Sequence, residues 1–419
     1  MPLTLATADA AMKEFYLKAV RNQLNNDTPM LNIIQQKTVE VRGRRAVLAL
    51  KVGRNGGHGA RADGGVLPIA GNQRYAEERV PLRYNYAVGQ VTGPTIAQTD
   101  SDRGAFIRGV DSEMDGMTED LKRDINRQLW GTSNGVIATC GVTGAVAVIV
   151  LAAATPDHVM RQFYIGMRVD IGTLAQLAAG VGGRIHGALI TAIDAVSVPH
   201  TITIDSAVAA TAGTDFISIA GAGGVAPQKE LTGLQTIVAA TGPLHNVDPA
   251  TEPVWASRVD ANAGTPRGIS ENLMGRNVQL TQIISGEWIT HLIGSDGVHR
   301  AYANLLMGQK RYPGARELPG GYTAVDFAAA GPIIPVTYDR DAPSGVTASP
   351  QTVGGSLFGI NRKRLFFGSA SDWDFLNRDG STLHWTGTTD AYSFVLYRYA
   401  DLFTDKRNAH FRISDLFEA

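Results

Sequence analysis

The sequence predicts an α+β fold that carries a small, inserted β-barrel-like domain. Three stretches predict it. Residues 101–131 read as one long amphipathic helix. A long, basic, glycine-rich loop between two strands precedes them. A β-rich block, residues 135–225, follows them and carries only eight charged side chains.

The helix rests on spacing. Phe106, Val110, Met114, Met117, Leu121, Ile125 and Leu129 recur at steps of three or four and share one face, with charged side chains on the other. Ser101 or Asp102 can cap the start, and Gly131 sits where helices commonly end. Such a rod is roughly 45 Å long, against a usual helix of about three turns. Gly109 and Gly116 lie inside it. Each costs about 1 kcal/mol relative to alanine, so bending is expected there.

Composition bounds the rest. A chain of 419 residues predicts two or three domains, and 44% hydrophobic residues supply a core. The net charge is −1, which argues against a dedicated nucleic-acid binder, whose affinity comes largely from neutralising phosphates. Arginine outnumbers lysine 29 to 9, and arginine suits planar, multidentate contacts at interfaces. Cys140 is the single cysteine, so no intrachain disulfide and no Cys-rich zinc site can form. It lies in an apolar stretch and reads as an inert buried thiol. The N-terminus lacks a basic segment followed by an apolar run, so no secretory signal is read, and the chain is expected to be made inside the cell. Residues 136–154 are uncharged and nearly long enough to span a bilayer. They are rich in Ala, Gly, Thr and Val and lack basic flanks, so buried strands are the preferred reading.

In chain order, residues 9–25 form a short amphipathic helix with Met12, Phe15, Tyr16, Val20 and Leu24 on one face. The run 25–29 ends it, since Pro29 disfavours helix at Thr28. Residues 44–52 and 79–92 read as strands. The connection 53–78 holds seven glycines and no periodicity of its own. Loops of that length are usually functional or reach elsewhere. From Arg42 to Arg83 the net charge is +6, and over 101–131 it is −2. A basic arm beside an acidic rod points to docking, within a chain or between chains. The candidate contact residues are Arg54, Arg61, Asp63 and Arg74 of the loop and Glu113, Asp115, Glu119 and Asp120 of the helix. The loop lacks interleaved aromatic residues for base stacking, so protein is favoured over nucleic acid as its partner.

Beyond 221–230 the pattern is mixed. Residues 234–240 read as a strand or a short helix. Ser270 caps a helix through Leu273, Met274, Val278 and Leu280. Asp296 begins another, with Val298, Ala301, Tyr302, Leu305 and Leu306 on one face and Gly308 at its end. Residues 390–403 and 409–417 are expected to pair as strands around the turn 404–408.

Chemistry is hard to place. No Gly-Lys-Ser or Gly-Lys-Thr phosphate loop occurs, and the glycine clusters at 53–59, 180–183 and 221–224 form no dinucleotide fingerprint. No His-Glu-x-x-His pattern occurs, and His291 and His299 fall on different predicted elements. The acidic cluster from Glu113 to Asp120 reads as a solvated or intersubunit face. No catalytic residue, cofactor or metal is expected.

The order of elements carries a resemblance. An N-terminal arm is followed by RRAVLALKVGRNGG through YAEERVPLRYNYAVGQVTG, then by SDRGAFIRGVDSEMDGMTEDLKRDINRQLWG. A central mixed region and a strand-rich end close the chain, with GYTAVDFAAAGPIIPV and LHWTGTTDAYSFVLYRYADLFTDKRNAHFRISDL in its last part. Over roughly residues 35–134 and 226–419 this resembles the tailed-bacteriophage major capsid protein family of the Hong Kong 97 type. The resemblance implies an N-terminal arm (1–41), an extended loop (42–93), a spine helix beginning the peripheral domain (94–134), an inserted β-domain (135–225), an axial domain (226–320), and a C-terminal part (321–419) of the axial and peripheral domains. It implies a structural protein that self-assembles into hexamers and pentamers of an icosahedral virion shell around double-stranded DNA, contacted non-specifically. It also implies a portal at one vertex, a separate scaffolding protein or none, since the arm is too short for a fused one, and a decoration protein as a further candidate partner. Assembly would take place in the host cytoplasm. Some members crosslink a loop lysine to a neighbour. Lys51, the loop region's only lysine, sits in a predicted strand, so that reaction is not carried over. An encapsulin-like compartment shell and an α/β enzyme are the alternative readings.

Overall fold

A computed structural model describes residues 27–418 apart from 36–37, 42, 100–108, 225–227, 309–314, 319–321, 329–330, 347–350, 378–379 and 388. The expected helix at 9–25, the caps Ser101 and Asp102, and Phe106 lie outside the described residues. The described residues divide into two compact units. One holds those within 86–121 and 374–397, together with residue 27; the other holds those within 28–85, 122–373 and 398–418.

Helix α1 spans Pro29–Gln35. Pro29 therefore opens a helix that the sequence reading missed. Proline is tolerated in a first turn because the N–H there has no helical partner. Met30, Leu31, Ile33 and Ile34 of α1 are buried. Strands β1 (Thr38–Glu40), β2 (Arg45–Gly53), β3 (Arg74–Pro81) and β4 (Arg83–Thr92) follow. The single strand expected at 79–92 is thus two, broken at Leu82 after a proline that lacks an N–H. β2 and β3 pair antiparallel with Leu48 opposite Glu78. The open loop shortens to 54–73.

After α2 (Gly93–Thr99) comes the long helix α3, Gly109–Trp130. Its expected stripe is buried at Leu121, Ile125 and Leu129 and half-buried at Val110, Met114 and Met117. Gly131 does not supply a left-handed cap. Its N–H bonds to Gln128 O at 3.0 Å, and the positive φ falls at Ser133 (67°).

The segment after α3 builds β5 (Val136–Thr139), β6 (Val148–Val150), α4 (Asp157–Met160), β7 (Arg168–Gly172), α5 (Leu174–Ala179), β8 (Ile185–Asp194), β9 (Thr201–Ile204) and β10 (Phe216–Ile219). The strands join in the order β5-β10-β7-β8-β9-β6. The outer strands then meet: Gly141 N–H donates to Val150 O at 2.8 Å, and Ala152 N–H donates to Thr139 O at 3.0 Å. These bonds close the sheet into a barrel. Ile137, Ile149, Val169, Ile171, Ile190, Ile202 and Ile217 fill it. Alternation along each strand explains the low charge of the segment, because one face is wholly apolar. Cys140 is buried in the wall, and burial pushes its thiol up to about 12. Residues 136–154 contribute two short strands, and among the described residues no helix is long and apolar enough to cross a membrane.

The remainder comprises α6 (Leu234–Ile237), β11 (Arg258–Asp260), α7 (Glu271–Ser285), β12 (His291–Gly294), α8 (Asp296–Gly308), β13 (Ala315–Leu318), β14 (Tyr322–Ala328), β15 (Ile333–Tyr338), β16 (Gly355–Ile360), β17 (Leu365–Phe375), β18 (His384–Trp385), β19 (Ala391–Thr404) and β20 (Phe411–Leu416). Ser270 Oγ accepts the Leu273 N–H at 3.2 Å, the cap the sequence predicts for α7. A seven-stranded sheet runs β11-β20-β16-β12-β15-β14-β13. Met274, Val278, Leu292, Val298, Tyr302, Val336, Leu357 and Phe411 join it to α7 and α8 in one core. His291 and His299 lie on β12 and α8, separate elements as expected.

The expected pairing of 390–403 with 409–417 does not occur. β19 belongs to a second sheet with β1, β4, β17 and β18, while β20 lies between β11 and β16. Arg407 lies at the change of sheet. Its buried guanidinium donates to the carbonyls of Ile237 (2.8 Å), Thr236 (2.9 Å) and Gly242 (3.0 Å), and so ties the link between β19 and β20 to the 236–242 segment.

Candidate functional site

The loop of the hairpin, residues 54–73, is exposed along most of its length. Beyond β2 the two limbs of the loop pinch together. A Cβ on Gly57 would sit 2.8 Å from Gly71 N, and one on Gly71 would sit 2.5 Å from Asn55 Oδ1. Only glycine admits that approach. Asn55 Oδ1 accepts the Gly57 N–H at 2.7 Å, and Arg61 Nε donates to Val66 O at 2.8 Å. The tip left standing is apolar, with Val66, Leu67 and Ile69 exposed by 88, 81 and 91%. Three such side chains together in water are a contact surface without a partner in the single chain.

The predicted contact residues distribute as follows. Arg54, Arg61 and Asp63 are exposed on the loop. Arg74 makes an ion pair with Glu252 of its own chain. Glu113, Asp115, Glu119 and Asp120 are exposed on α3. The loop residues belong to the unit containing 28–85 and the acidic residues to the unit containing 86–121.

Below the loop, sequence alternation breaks at one residue. Ala76 and Val80 turn inward from β3, and Glu78 turns inward between them. It is fully buried, and Oε1 lies 2.8 Å from His245 Nδ1. Arg79 N–H donates to His245 O at 3.0 Å. A carboxyl on the apolar face of an alternating strand is a legible signal; the sequence reading counted Glu78 only toward net charge. His245 carried no such signal, since its role depends on a turn far away in sequence.

Polar side chains anchor the C-terminal half of α3. Asn126 Nδ2 donates to Asp341 Oδ2 at 2.8 Å and to Asp339 Oδ1 at 3.2 Å, and its Oδ1 accepts the Leu31 N–H at 3.1 Å. Burial and the neighbouring Asp341 push Asp339 up to about 6. Arg127 pairs with Glu230, both buried. Gln128 Nε2 donates to Asn85 Oδ1 at 2.9 Å, and its Oε1 accepts the Leu231 N–H at 3.1 Å.

A polar cavity of about 190 Å³ opens beside Trp130, lined in part by Arg127, His158, Gln162 and Asp341. Its titratable groups are already engaged. His158 Nδ1 bonds to Ser344, and burial lowers its pKa to about 4. Residues 131–135 spell Gly-Thr-Ser-Asn-Gly, the letters of a nucleophile elbow. An elbow requires a strand before the serine and a helix after it. Here α3 precedes and β5 follows. Ser133 Oγ is buried and accepts the Gly233 N–H at 3.2 Å. Among the described residues no group of three or more His, Cys, Asp or Glu side chains is placed to hold a metal ion.

No protein-family model matches the sequence, and no curated protein matches it. Solved structures do. The chain is similar to a subunit of the cyanophage A-1(L) capsid, with a TM-score of 0.60 and 14% identity over 99% of both chains. It is similar to the SrpI encapsulin of Synechococcus elongatus PCC 7942, with a TM-score of 0.50 and 7% identity over 100% of this chain and 97% of that one. It is also similar to the capsid of a native GTA particle, with a TM-score of 0.50 and 9% identity over 100% and 99%. The fold is the Hong Kong 97 type.

Proposed function

We propose that this chain is the major capsid protein of a tailed bacteriophage. It is a structural subunit, not an enzyme, and forms hexamers and pentamers that close into an icosahedral shell around double-stranded DNA. The observation that carries the reading is the likeness to the cyanophage capsid subunit, which spans 99% of each chain. The exposed hairpin tip supports it, since copies of the chain supply the cover that a single copy lacks. A net charge of −1 also suits a shell wall, which encloses DNA without gripping it. A scaffolding protein, a portal and a decoration protein are the further partners this role brings, with assembly in the host cytoplasm. The likeness to an encapsulin keeps a compartment shell as the second reading.

Purified protein is expected to sediment as capsomers or shells, visible as closed particles in electron micrographs. A protein that stays monomeric at micromolar concentration in light scattering contradicts the proposal. Nuclease-resistant DNA inside native particles separates the virion from the compartment.

Arg54 and Arg61 are assigned to contacts between copies, and Arg74, which already pairs with Glu252 of its own chain, is tested with them as a third exposed cation of the hairpin. Reversing all three charges to glutamate is expected to cut shell yield at least about tenfold while leaving the subunit's unfolding curve unchanged, because exposed ion pairs contribute little to folding, roughly 0–1 kcal/mol each. Normal assembly of the triple variant would remove the loop from the interface.

A further inference from the structure

The root of the hairpin holds a buried relay of polar groups that the shell reading does not use. Glu78 Oε1 meets His245 Nδ1 at 2.8 Å, His245 Nε2 meets Thr232 Oγ1 at 3.1 Å, and Thr232 Oγ1 meets Asp401 Oδ2 at 3.1 Å. More than one arrangement of protons lets donors and acceptors alternate without conflict, and burial favours the one in which the Glu78–His245 pair carries no charge. A neutral Glu78 donates to Nδ1, the Nε2–H donates to the threonine hydroxyl, and that hydroxyl donates to Asp401. Glu78 Oε2 is buried without a hydrogen-bond partner, which a neutral carboxyl tolerates and a carboxylate does not. The side chains of His245 and Glu78 are 4 and 0% exposed.

His245 also sits under strain. The turn 244–247 closes with reciprocal bonds between Leu244 and Val247 at 3.0 Å, and His245 and Asn246 take φ of 47° and 76°. A left-handed histidine persists where surrounding contacts hold it. The Glu78 contact and the Arg79 N–H to His245 O bond supply that hold. Arg74 with Glu252 adds a second, exposed strap.

We propose that the Glu78–His245 contact is a proton-dependent latch, which holds the hairpin root against the 244–247 turn and releases it outside a mildly acidic window. This belongs to the single chain and goes beyond the shell reading. The groups facing the pair are Arg83 on β4, Asp401 on β19, Arg407 and Asp405 beyond β19, and Asp248 beyond the turn. Desolvation, with Asp405 next, raises Glu78 to about 9 from a usual 4.5. Desolvation, with Arg83 and Arg407 adding to it, lowers His245 to about 3 from a usual 6.5. Asp401 accepts from the N–H groups of Thr232 (2.7 Å) and Leu402 (2.8 Å), and burial raises it to about 6, so its own titration adds to that of the pair and is separated from it by the Glu78→Gln profile.

The signs follow from these directions. Glu78 is raised when closed, so its contribution is complete below 4.5 and is lost as pH rises toward 9. His245 is lowered when closed, so its contribution is complete above 6.5 and is lost as pH falls toward 3. Between 4.5 and 6.5 the two slopes cancel, and the closed and open pairs each hold one proton. Above 6.5 the open pair holds none, so opening gains about tenfold per pH unit. Below 4.5 the open pair holds two, and opening gains again.

Hydrogen exchange of the full-length protein tests this, reading the protection factor of the β3 segment that contains the Arg79 amide against β16 and β20 in the same sample. Protection of β3 is expected to fall at least about tenfold from pH 6 to pH 8 while the reference strands hold steady. Glu78→Gln keeps a neutral donor to Nδ1 and is expected to flatten that dependence to under about threefold. His245→Gly suits the left-handed turn and is expected to strip the protection at every pH. A Glu78→Gln profile that tracks the unmodified protein overturns the latch, as does a protected β3 in His245→Gly. Should the glycine variant not fold, the glutamine profile decides alone.

Discussion

Arg407→Ala is expected to lower the stability of the subunit by at least about 3 kcal/mol and to deplete folded protein from the soluble fraction. The side chain is buried and donates to three main-chain carbonyls, those of Thr236, Ile237 and Gly242. Alanine leaves the carbonyls of Thr236 and Gly242 without this donor and Ile237 O with Ser257 Oγ alone, at 3.2 Å. A buried acceptor stripped of its partner costs about 1–3 kcal/mol, and a domain has only about 5–15 kcal/mol in hand. Burial lowers the Arg407 pKa to about 10, with Asp248 acting against the shift, so the group is still charged at neutral pH and its charge is met by Asp248 as well as by the carbonyls. Lysine cannot span them with one ammonium, so Arg407→Lys is expected to recover only part of the loss. Urea unfolding of the dissociated subunit measures both. A change below about 1 kcal/mol for alanine would mean that the chain can leave β19 for the other sheet unaided.

Excising the barrel is expected to leave the remainder folded. Asn134 O accepts the Gly224 N–H at 2.9 Å, so the chain enters and leaves the barrel at neighbouring points. Joining 134 to 224 needs no rearrangement of α3. The barrel fills its interior with its own side chains. Its ties to other parts of the chain include the Arg161–Asp296 ion pair and the bond from Ser344 N–H to His158 Nδ1 at 3.0 Å. The first is partly exposed and contributes roughly 0–1 kcal/mol; the second contributes about 1 kcal/mol. Both are small beside the stability of a whole domain. The shortened protein is expected to keep a single cooperative thermal transition and the helical signal of α3 and α7. An insoluble product, or a broad transition, would show that the barrel is a structural member of the fold.

What the sequence made legible is what periodicity and composition encode. Leu121, Ile125 and Leu129 declared the buried face of α3, Ser270 and Asp296 marked two later helices, and the charge-poor run of Val, Ile and Thr announced a β-rich body. Local rules failed where distant groups decide. Pro29 was read as a stop because proline both ends helices and opens them, and only the buried Met30 and Ile34 settle which. β19 and β20 looked like a hairpin by spacing, but Arg407 finds its acceptors some 165–171 residues away. The loop's basic residues were visible as charge. The pair beneath them was not, because His245 is called to Glu78 by a turn 167 residues along the chain. The acidic residues of α3 were equally visible, and they are exposed on the helix as a charged face.

The closure of the barrel matters most when copies crowd. An open sheet presents a row of unpaired N–H and C=O groups that any extended segment can join, which is the usual start of aggregation and of strand exchange. Here Gly141 and Ala152 spend those groups on β6 and β5 of the same chain. In the proposed shell, newly made subunits could therefore accumulate to high local concentration without their barrels joining strand to strand. Recognition between them is left to side chains, whose bonds are weak enough to be undone and remade. An assembling lattice needs that reversibility to correct a misplaced neighbour before it is locked in.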